Sequence, residues 1–80
     1  MIYLFTTPGC LNCPPAKKLL EAEHIPAIMV DASRPEGLLH ARKFKVSQVP
    51  CIVMTNNEGG EVKRFSGIED IRTHYSALHV

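Results

Sequence analysis

Short apolar runs alternate with segments of helical periodicity along this chain of 80 residues. Apolar runs of four or five residues that end at a turn-forming residue are typical of buried strands. By contrast, Ala16, Leu19 and Leu20 fall on one face of a helix, which is the pattern of an amphipathic helix. The pattern predicts strands over residues 2–6, 27–30, 51–54 and 61–65, and helices over residues 11–24, 33–44 and 66–78.

The residues at the ends of these elements match capping and turn patterns. Ser33 with Glu36, and Ser66 with Glu69, have the spacing of a capping box, in which side chains satisfy the first backbone amides of a helix. Residues 56–60 (Asn-Asn-Glu-Gly-Gly) supply the turn of a hairpin between the third and fourth strands. Strand–helix–strand alternation followed by a hairpin predicts an α/β fold in the order β-α-β-α-β-β-α. Its four-stranded mixed sheet would have parallel strands first, an antiparallel pair after, and three helices over its two faces.

Length and charge narrow the class of protein. The length predicts one domain over residues 1–80. A formal net charge of +1 gives no electrostatic footprint for a nucleic acid or a membrane surface. The first residues lack the basic region and longer apolar stretch of a secretory signal, and no apolar run approaches the roughly 20 residues that span a bilayer. We therefore expect a cytoplasmic protein, in which a thiol pair stays reduced unless it is transient, catalytic or metal-bound.

Cys10-Leu11-Asn12-Cys13 directly follows a predicted strand and begins a predicted helix. Two intervening residues allow the two sulfurs to meet across one helical turn. At a helix start, unpaired backbone N–H groups and the helix dipole stabilise a thiolate, which favours Cys10 as the attacking sulfur. Cys13, one turn deeper, is placed to attack a mixed disulfide at Cys10 and release the reduced substrate. The pattern predicts dithiol–disulfide exchange, which needs no cofactor because the two thiols hold the electrons.

The same motif is also half of a zinc or iron–sulfur site, so a metal-binding module that uses these cysteines is the alternative. The chain has no second C-x-x-C, and its histidines lack ligand spacing, so we predict no metal site. An idle adaptor is disfavoured by the intact C-x-x-C. Cys51 has two interpretations: a small apolar core residue, or a third redox thiol or metal ligand. The four histidines that lack ligand spacing are His24, His40, His74 and His79.

A second motif lies far down the chain, where Gln48-Val49-Pro50 precedes the third strand. With Thr7-Pro8-Gly9 ahead of the cysteine pair and with the predicted element order, it resembles the glutaredoxin branch of the thioredoxin superfamily over essentially the whole chain. The resemblance implies a thioredoxin-like fold of glutaredoxin type, with Cys10 as nucleophile and Cys13 as resolving thiol. It also implies that Pro50 is a cis-proline facing the disulfide and that Val49 offers its backbone to a substrate. Thr7, Pro8 and Gly67 complete the substrate-binding residues that it implies.

Departures from the family patterns indicate which branch the chain is closest to. Thioredoxins usually carry a tryptophan before the first cysteine and a buried acid six residues ahead of it, where this chain has Gly9 and Leu4. Glutathione-using glutaredoxins usually show a T-V-P motif, a Gly-Gly pair before the last helix and a nearby aspartate. This chain instead has Gln48 before Val-Pro and a single glycine, Gly67. Asp70 is only a loose match for the aspartate. The pattern is therefore most similar to glutaredoxin-like redoxins that accept electrons from thioredoxin reductase, some of which serve ribonucleotide reductase.

The resulting prediction is a thiol–disulfide oxidoreductase. We expect a monomeric electron carrier that passes electrons from a reductase to a protein disulfide and has no nucleic-acid or membrane partner. A glutathione-dependent glutaredoxin is the alternative within the same superfamily.

Overall fold

The computed structural model describes residues 1–78. It confirms the predicted α/β order, and each predicted strand and helix is present within two or three residues of its expected start. The elements are β1 (Ile2–Thr6), α1 (Cys13–Ala22), β2 (Ile28–Asp31), α2 (Pro35–Lys43), β3 (Cys51–Thr55), β4 (Glu61–Ser66) and α3 (Ile68–His74), followed by a 3₁₀ turn over Tyr75–Leu78.

The four strands form one mixed sheet in the order β2-β1-β3-β4. β1 runs parallel to β2 and antiparallel to β3, and β3 runs antiparallel to β4. The register places Phe5 opposite Cys51 and Cys51 opposite Ser66, so the chain segments next to these three residues emerge at the same end of the sheet. That end gathers the loop after β1, the loop before β3 and the loop after β4.

Each face of the sheet covers a separate hydrophobic core, because side chains of a strand alternate between faces. On one face, Leu4 and Ile52 pack with residues of α1 and α3 such as Leu20 and Ile71. On the other face, Phe5 packs with residues of α2 and its C-terminal end. The prediction of helices on both faces is confirmed. Within residues 1–78, no helix is long and apolar enough to cross a bilayer.

Both predicted capping boxes are wrong, although the two helices that they were predicted to begin are present. α2 begins one residue after Arg34, and no side chain caps its first amides. The Ser33 hydroxyl instead donates a hydrogen bond of 2.6 Å to Asp31 Oδ1, which also accepts the Ser33 amide at 2.9 Å. The Ser33 side chain is therefore bonded to Asp31 in a local turn and does not cap α2.

The last helix, α3, also lacks the predicted side-chain cap. Its N-cap is Gly67, which has no side chain to offer, and Ser66 lies on β4. Asp70, in the first turn of α3, accepts a hydrogen bond of 3.0 Å from the backbone amide of Ser66. A carboxylate in the first turn is also favoured by the helix dipole. The regular helix ends at His74, and the chain tightens into the 3₁₀ turn beyond it.

Candidate active site around Cys10 and Cys13

Cys10 and Cys13 form a disulfide, with their Cα atoms 5.4 Å apart. Cys10 is half-buried, whereas Cys13 is only 5% exposed. Pro8 and Gly9 form an exposed turn ahead of the pair, which the Cys10 amide closes by donating a hydrogen bond of 3.2 Å to the Thr7 carbonyl. Cys10 is therefore the more accessible of the two cysteines, and Cys13 is shielded from solvent.

The start of α1 explains how two successive prolines fit beside the pair. The helix begins at Cys13, two residues later than expected, with Asn12 as its N-cap. Pro14 and Pro15 thus occupy the first turn, where the backbone has no helical partner for an N–H group. The first helical hydrogen bond that crosses them runs from the Ala16 amide to the Asn12 carbonyl, over 3.4 Å. The prolines are therefore compatible with the helix, and Cys10 lies just ahead of it.

The loop before β3 faces the same end of the sheet. The Val49–Pro50 peptide bond is cis, as the family resemblance implies, and Pro50 is fully buried. Its carbonyl oxygen accepts a hydrogen bond of 2.8 Å from the Gly67 amide. Gly67 has a positive φ of 86°, so the predicted glycine also has a conformational role.

The structure brings most of the predicted site residues to one end of the sheet. Thr7 and Val49 line the same cavity, and Pro50 is hydrogen-bonded to Gly67. Pro8 lies in the exposed turn that leads to Cys10. None of the segments 6–16, 46–54 and 66–68 contains an ionisable residue other than cysteine. The predicted site residues thus lie in segments that carry no charged side chain.

Cys51 is buried, at 1% exposure, in the core under α2. Its Sγ lies 3.7 Å from the Ser66 hydroxyl. Burial raises the pKa of the Cys51 thiol, and the Ser66 hydrogen bond and the nearby Arg64 only partly oppose that effect. The core interpretation of Cys51 is therefore confirmed.

Residues 1–78 contain no group of three or more His, Cys, Asp or Glu side chains that could hold a metal ion. His79 lies outside the described residues.

The sequence analysis missed two contributions to the site, although it named Asp70 as a loose match to a family aspartate. Asp70 holds the turn before α3 by accepting the Ser66 amide, and its place in the first helical turn was the available signal. Leu38 and Val46 line the cavity beside Thr7 and Val49, but their sequence pattern is that of ordinary core residues.

No protein-family model matches the chain. A protein of the archaeon Archaeoglobus fulgidus named "Probable Thioredoxin" is 37% identical over 60 residues, a stretch that covers 70% of this chain and 66% of that protein, just under two thirds of its length. Among solved structures, Fasciola hepatica thioredoxin is 26% identical, with a TM-score of 0.76 over 98% of this chain and 77% of its own. Thioredoxin of Malassezia sympodialis is 15% identical, with a TM-score of 0.77 over 98% of this chain and 70% of its own, which shows the shared fold.

The fold, the paired cysteines and the cis-proline together define the class of this chain, a thioredoxin-like fold with a C-x-x-C disulfide at one end of its sheet. The chain belongs to the thioredoxin superfamily. The superfamily prediction is therefore confirmed, and the glutaredoxin-like branch stays a prediction.

Proposed function

We propose that residues 1–80 act as a single-domain, monomeric thiol–disulfide oxidoreductase of the cytoplasm that reduces protein disulfides through Cys10 and Cys13. The observation that carries the proposal is the disulfide itself, with one accessible and one protected sulfur at the end of a sheet where a cis-proline loop also lies. This is the arrangement that thiol–disulfide exchange requires, because the attack must begin at an exposed thiolate and end at a shielded one.

The reaction has two exchange steps. In the reduced protein, the Cys10 thiolate attacks one sulfur of the target disulfide, and the other target sulfur leaves as a thiolate that takes up a proton. Cys13 then loses its proton and attacks the Cys10 sulfur, which breaks the mixed disulfide and releases the second target thiol. Two electrons pass to the target, and Cys10 and Cys13 end as the disulfide seen here.

The loops around the disulfide would hold the substrate. Val49 precedes the cis-proline and would offer its backbone N–H and C=O to an extended substrate segment. Pro50 and Gly67 would fix the position of that loop, since they are joined by a hydrogen bond. Thr7 and Pro8 would form the opposite side of the cleft.

For the electron donor, we propose thioredoxin reductase, with NADPH as the source, and we include ribonucleotide reductase among the candidate targets. The sequence supports this choice over glutathione because Gln48 and a single Gly67 replace the usual glutathione-binding pattern. The lack of charge in the segments that carry the predicted site residues supports it as well, since glutathione carries two carboxylates and an ammonium group that need charged partners or water.

Two coupled assays of NADPH oxidation test the proposal, with insulin as the disulfide acceptor. One contains thioredoxin reductase, and the other contains glutathione and glutathione reductase. Activity only with thioredoxin reductase is the expected result, and activity only with glutathione would make the protein a true glutaredoxin. Inactivity in both assays, with both thiols intact, would contradict the oxidoreductase proposal and favour the metal-binding alternative.

Single variants test the roles of the two cysteines. Cys10→Ser should abolish insulin reduction, whereas Cys13→Ser should accumulate a mixed disulfide between Cys10 and the substrate, detected by mass spectrometry. Cys51→Ala is the matched control, because that thiol is buried away from solvent and should leave the exchange reaction intact.

A further inference from the structure

Asp70 connects the first turn of α3 to the end of β4. Its Oδ2 atom accepts a hydrogen bond of 3.0 Å from the backbone amide of Ser66. β4 is an edge strand of the sheet, so its outward-facing amides have no strand to pair with. Asp70 supplies an acceptor for the amide at Ser66. This bond constrains the chain where it leaves the sheet, one residue before Gly67.

The same turn is bonded to the cis-proline loop. The Gly67 amide donates a hydrogen bond of 2.8 Å to the Pro50 carbonyl, and the Gly67 carbonyl accepts one of 3.1 Å from the Ile71 amide. Ile71 is fully buried in the core, so α3 is a firmly packed support for the turn. Asp70 is therefore linked to Pro50 through only two consecutive residues, Ser66 and Gly67.

The Asp70 carboxylate is itself oriented by its neighbours. Its second oxygen, Oδ1, lies 3.5 Å from His74 Nε2, one helical turn further along α3. The His74 ring stacks on Phe65, with the ring centres 5.8 Å apart, and Phe65 directly precedes Ser66 on β4. Contacts with both α3 and β4 thus define where the carboxylate lies.

We propose that Asp70 is a positioning residue for substrate binding. It holds the turn at Ser66 and Gly67, and through that turn it holds the cis-proline loop in the conformation that pairs with the backbone of an extended protein substrate. The inference rests on the proposed function, in which Val49 offers its N–H and C=O to the substrate. Without the Asp70 acceptor the turn loses a constraint, and the Val49 groups are held less precisely. Hydrogen bonds weaken steeply when their geometry departs from the optimum.

This role predicts a difference between large and small substrates. A peptide disulfide uses both the exchange reaction at Cys10 and the backbone pairing at Val49, whereas a small disulfide uses the exchange reaction alone. A general loss of stability or of active protein would reduce the rates for both kinds of substrate alike. A selective loss of peptide reduction therefore distinguishes a positioning role from a merely structural one.

Two disulfides of 2-mercaptoethanol provide the comparison: one joins it to the cysteine of a short peptide, and the other is 2-hydroxyethyl disulfide. Rates are measured with the full chain after reduction by dithiothreitol and removal of the reductant. In Asp70→Ala the rate constant for the peptide should fall about five- to tenfold, the range that one hydrogen bond provides, and that for 2-hydroxyethyl disulfide should change by less than about twofold. An equal fall for both substrates, or no fall for either, would overturn the proposal.

Substitutions at and beside Asp70 separate the hydrogen bond from the charge. Asp70→Asn removes the charge but keeps a side-chain oxygen for the Ser66 amide, so it should keep the peptide rate constant within about twofold of the unmodified protein. Asp70→Glu keeps the charge but moves the oxygens by one methylene, and it should lower the peptide rate constant selectively, by about threefold or more. This variant gives the same test if Asp70→Ala does not fold, which thermal unfolding establishes. A loss in Asp70→Asn as large as that in Asp70→Ala would overturn the proposal.

Glu69→Ala is the matched control, because it removes an acid from the same helical turn. The Glu69 side chain is 85% exposed and pairs only with Arg72 among the described residues, at 3.5 Å. This variant should leave the rate constants for both substrates unchanged. A selective loss of peptide reduction equal to that in Asp70→Ala would overturn the proposal, because the charge at the start of α3 would then explain it.

The unmodified protein separates this hypothesis from the proposed function. If it reduces both compounds and Asp70→Ala does so at unchanged rates, the positioning role is wrong and the oxidoreductase function stands. If it reduces neither compound, the proposed function fails, and the positioning role fails with it.

Discussion

The backbone amide of Gly67 donates a hydrogen bond of 2.8 Å to the carbonyl oxygen of Pro50. Gly67 combines a φ of 86° with a ψ of 158°, a backbone conformation that is essentially confined to glycine. Cys51 and Ser66, the next residues on β3 and β4, are paired in the sheet. The bond therefore extends the β3–β4 pairing to the cis-proline loop, and the glycine permits the turn that makes it.

Gly67→Ala should destabilise the protein by about 1–3 kcal/mol, the usual cost of holding a non-glycine residue in such a region. A Cβ at this position would meet only Gln48 Nε2, at 3.5 Å, so the cost arises from backbone conformation rather than from a clash. Urea unfolding measures it. Gly9→Ala is the control, because its Cβ would have no neighbour within 4 Å, and its stability should change by less than about 0.5 kcal/mol. Equal losses in the two variants would contradict this explanation.

Local sequence patterns were sufficient for the strands and for the reactive pair. The run Ile2–Thr6 is apolar and rich in strand-forming residues, and it forms the strand β1, with the C-x-x-C beyond a short turn. The cis conformation of Pro50 came from the family resemblance, because a single proline in a sequence does not specify its isomer.

The features that the sequence did not reveal depend on contacts between distant or competing groups. Ser33 matched a capping box, but its hydroxyl bonds to the nearer Asp31. The cavity walls Leu38 and Val46 have the same pattern as core residues, and only the packing of α2 against the loop before β3 shows that they border an opening. Sequence periodicity shows which face of a helix or strand is apolar. It does not show where two apolar faces leave a cavity between them.

Gly37, buried in the first turn of α2, is a second glycine with a specific requirement. A Cβ added here would collide with the backbone carbonyl of Asp31, because the helix passes directly over the end of β2. In an open helix, Gly→Ala adds stability, by about 1 kcal/mol. We expect Gly37→Ala to have the opposite sign and to cost about 1–3 kcal/mol through overpacking. Urea unfolding decides between the two, and a gain in stability would show that the close approach is absent.

Arg64 on β4 links the sheet to the C-terminal end of α2. Its guanidinium donates hydrogen bonds to the carbonyl oxygens of Phe44 and, at 3.2 Å, Lys45, and it pairs with Glu61 at 2.7 Å. A cation at the end of a helix also interacts favourably with the helix dipole.

Arg64→Met should therefore cost about 1–2 kcal/mol, toward the low end for hydrogen bonds of a charged group because the side chain is partly exposed. The measurement is urea unfolding at neutral pH. Lys63→Met, at the exposed neighbouring position on β4, removes the same charge and should change stability by less than about 0.5 kcal/mol. A similar loss in both variants would attribute the effect to net charge instead.

The buried thiol of Cys51 predicts how stability depends on pH in the oxidised protein, where Cys10 and Cys13 do not titrate. Burial raises the pKa of Cys51 above its usual value of 9.0 in the folded chain, whereas the unfolded chain keeps that value. Above about pH 9 the unfolded state therefore binds fewer protons than the folded state, and the stability of the protein falls as the pH rises.

Cys51→Ala removes this contribution but keeps all other titrating groups. Urea unfolding from about pH 7 to about pH 10 should show the stability difference between the two proteins constant below about pH 9 and changing above it, to the disadvantage of the unmodified chain. Parallel curves over the whole range would mean that Cys51 titrates alike in the folded and unfolded states, and that its burial does not hold the proton.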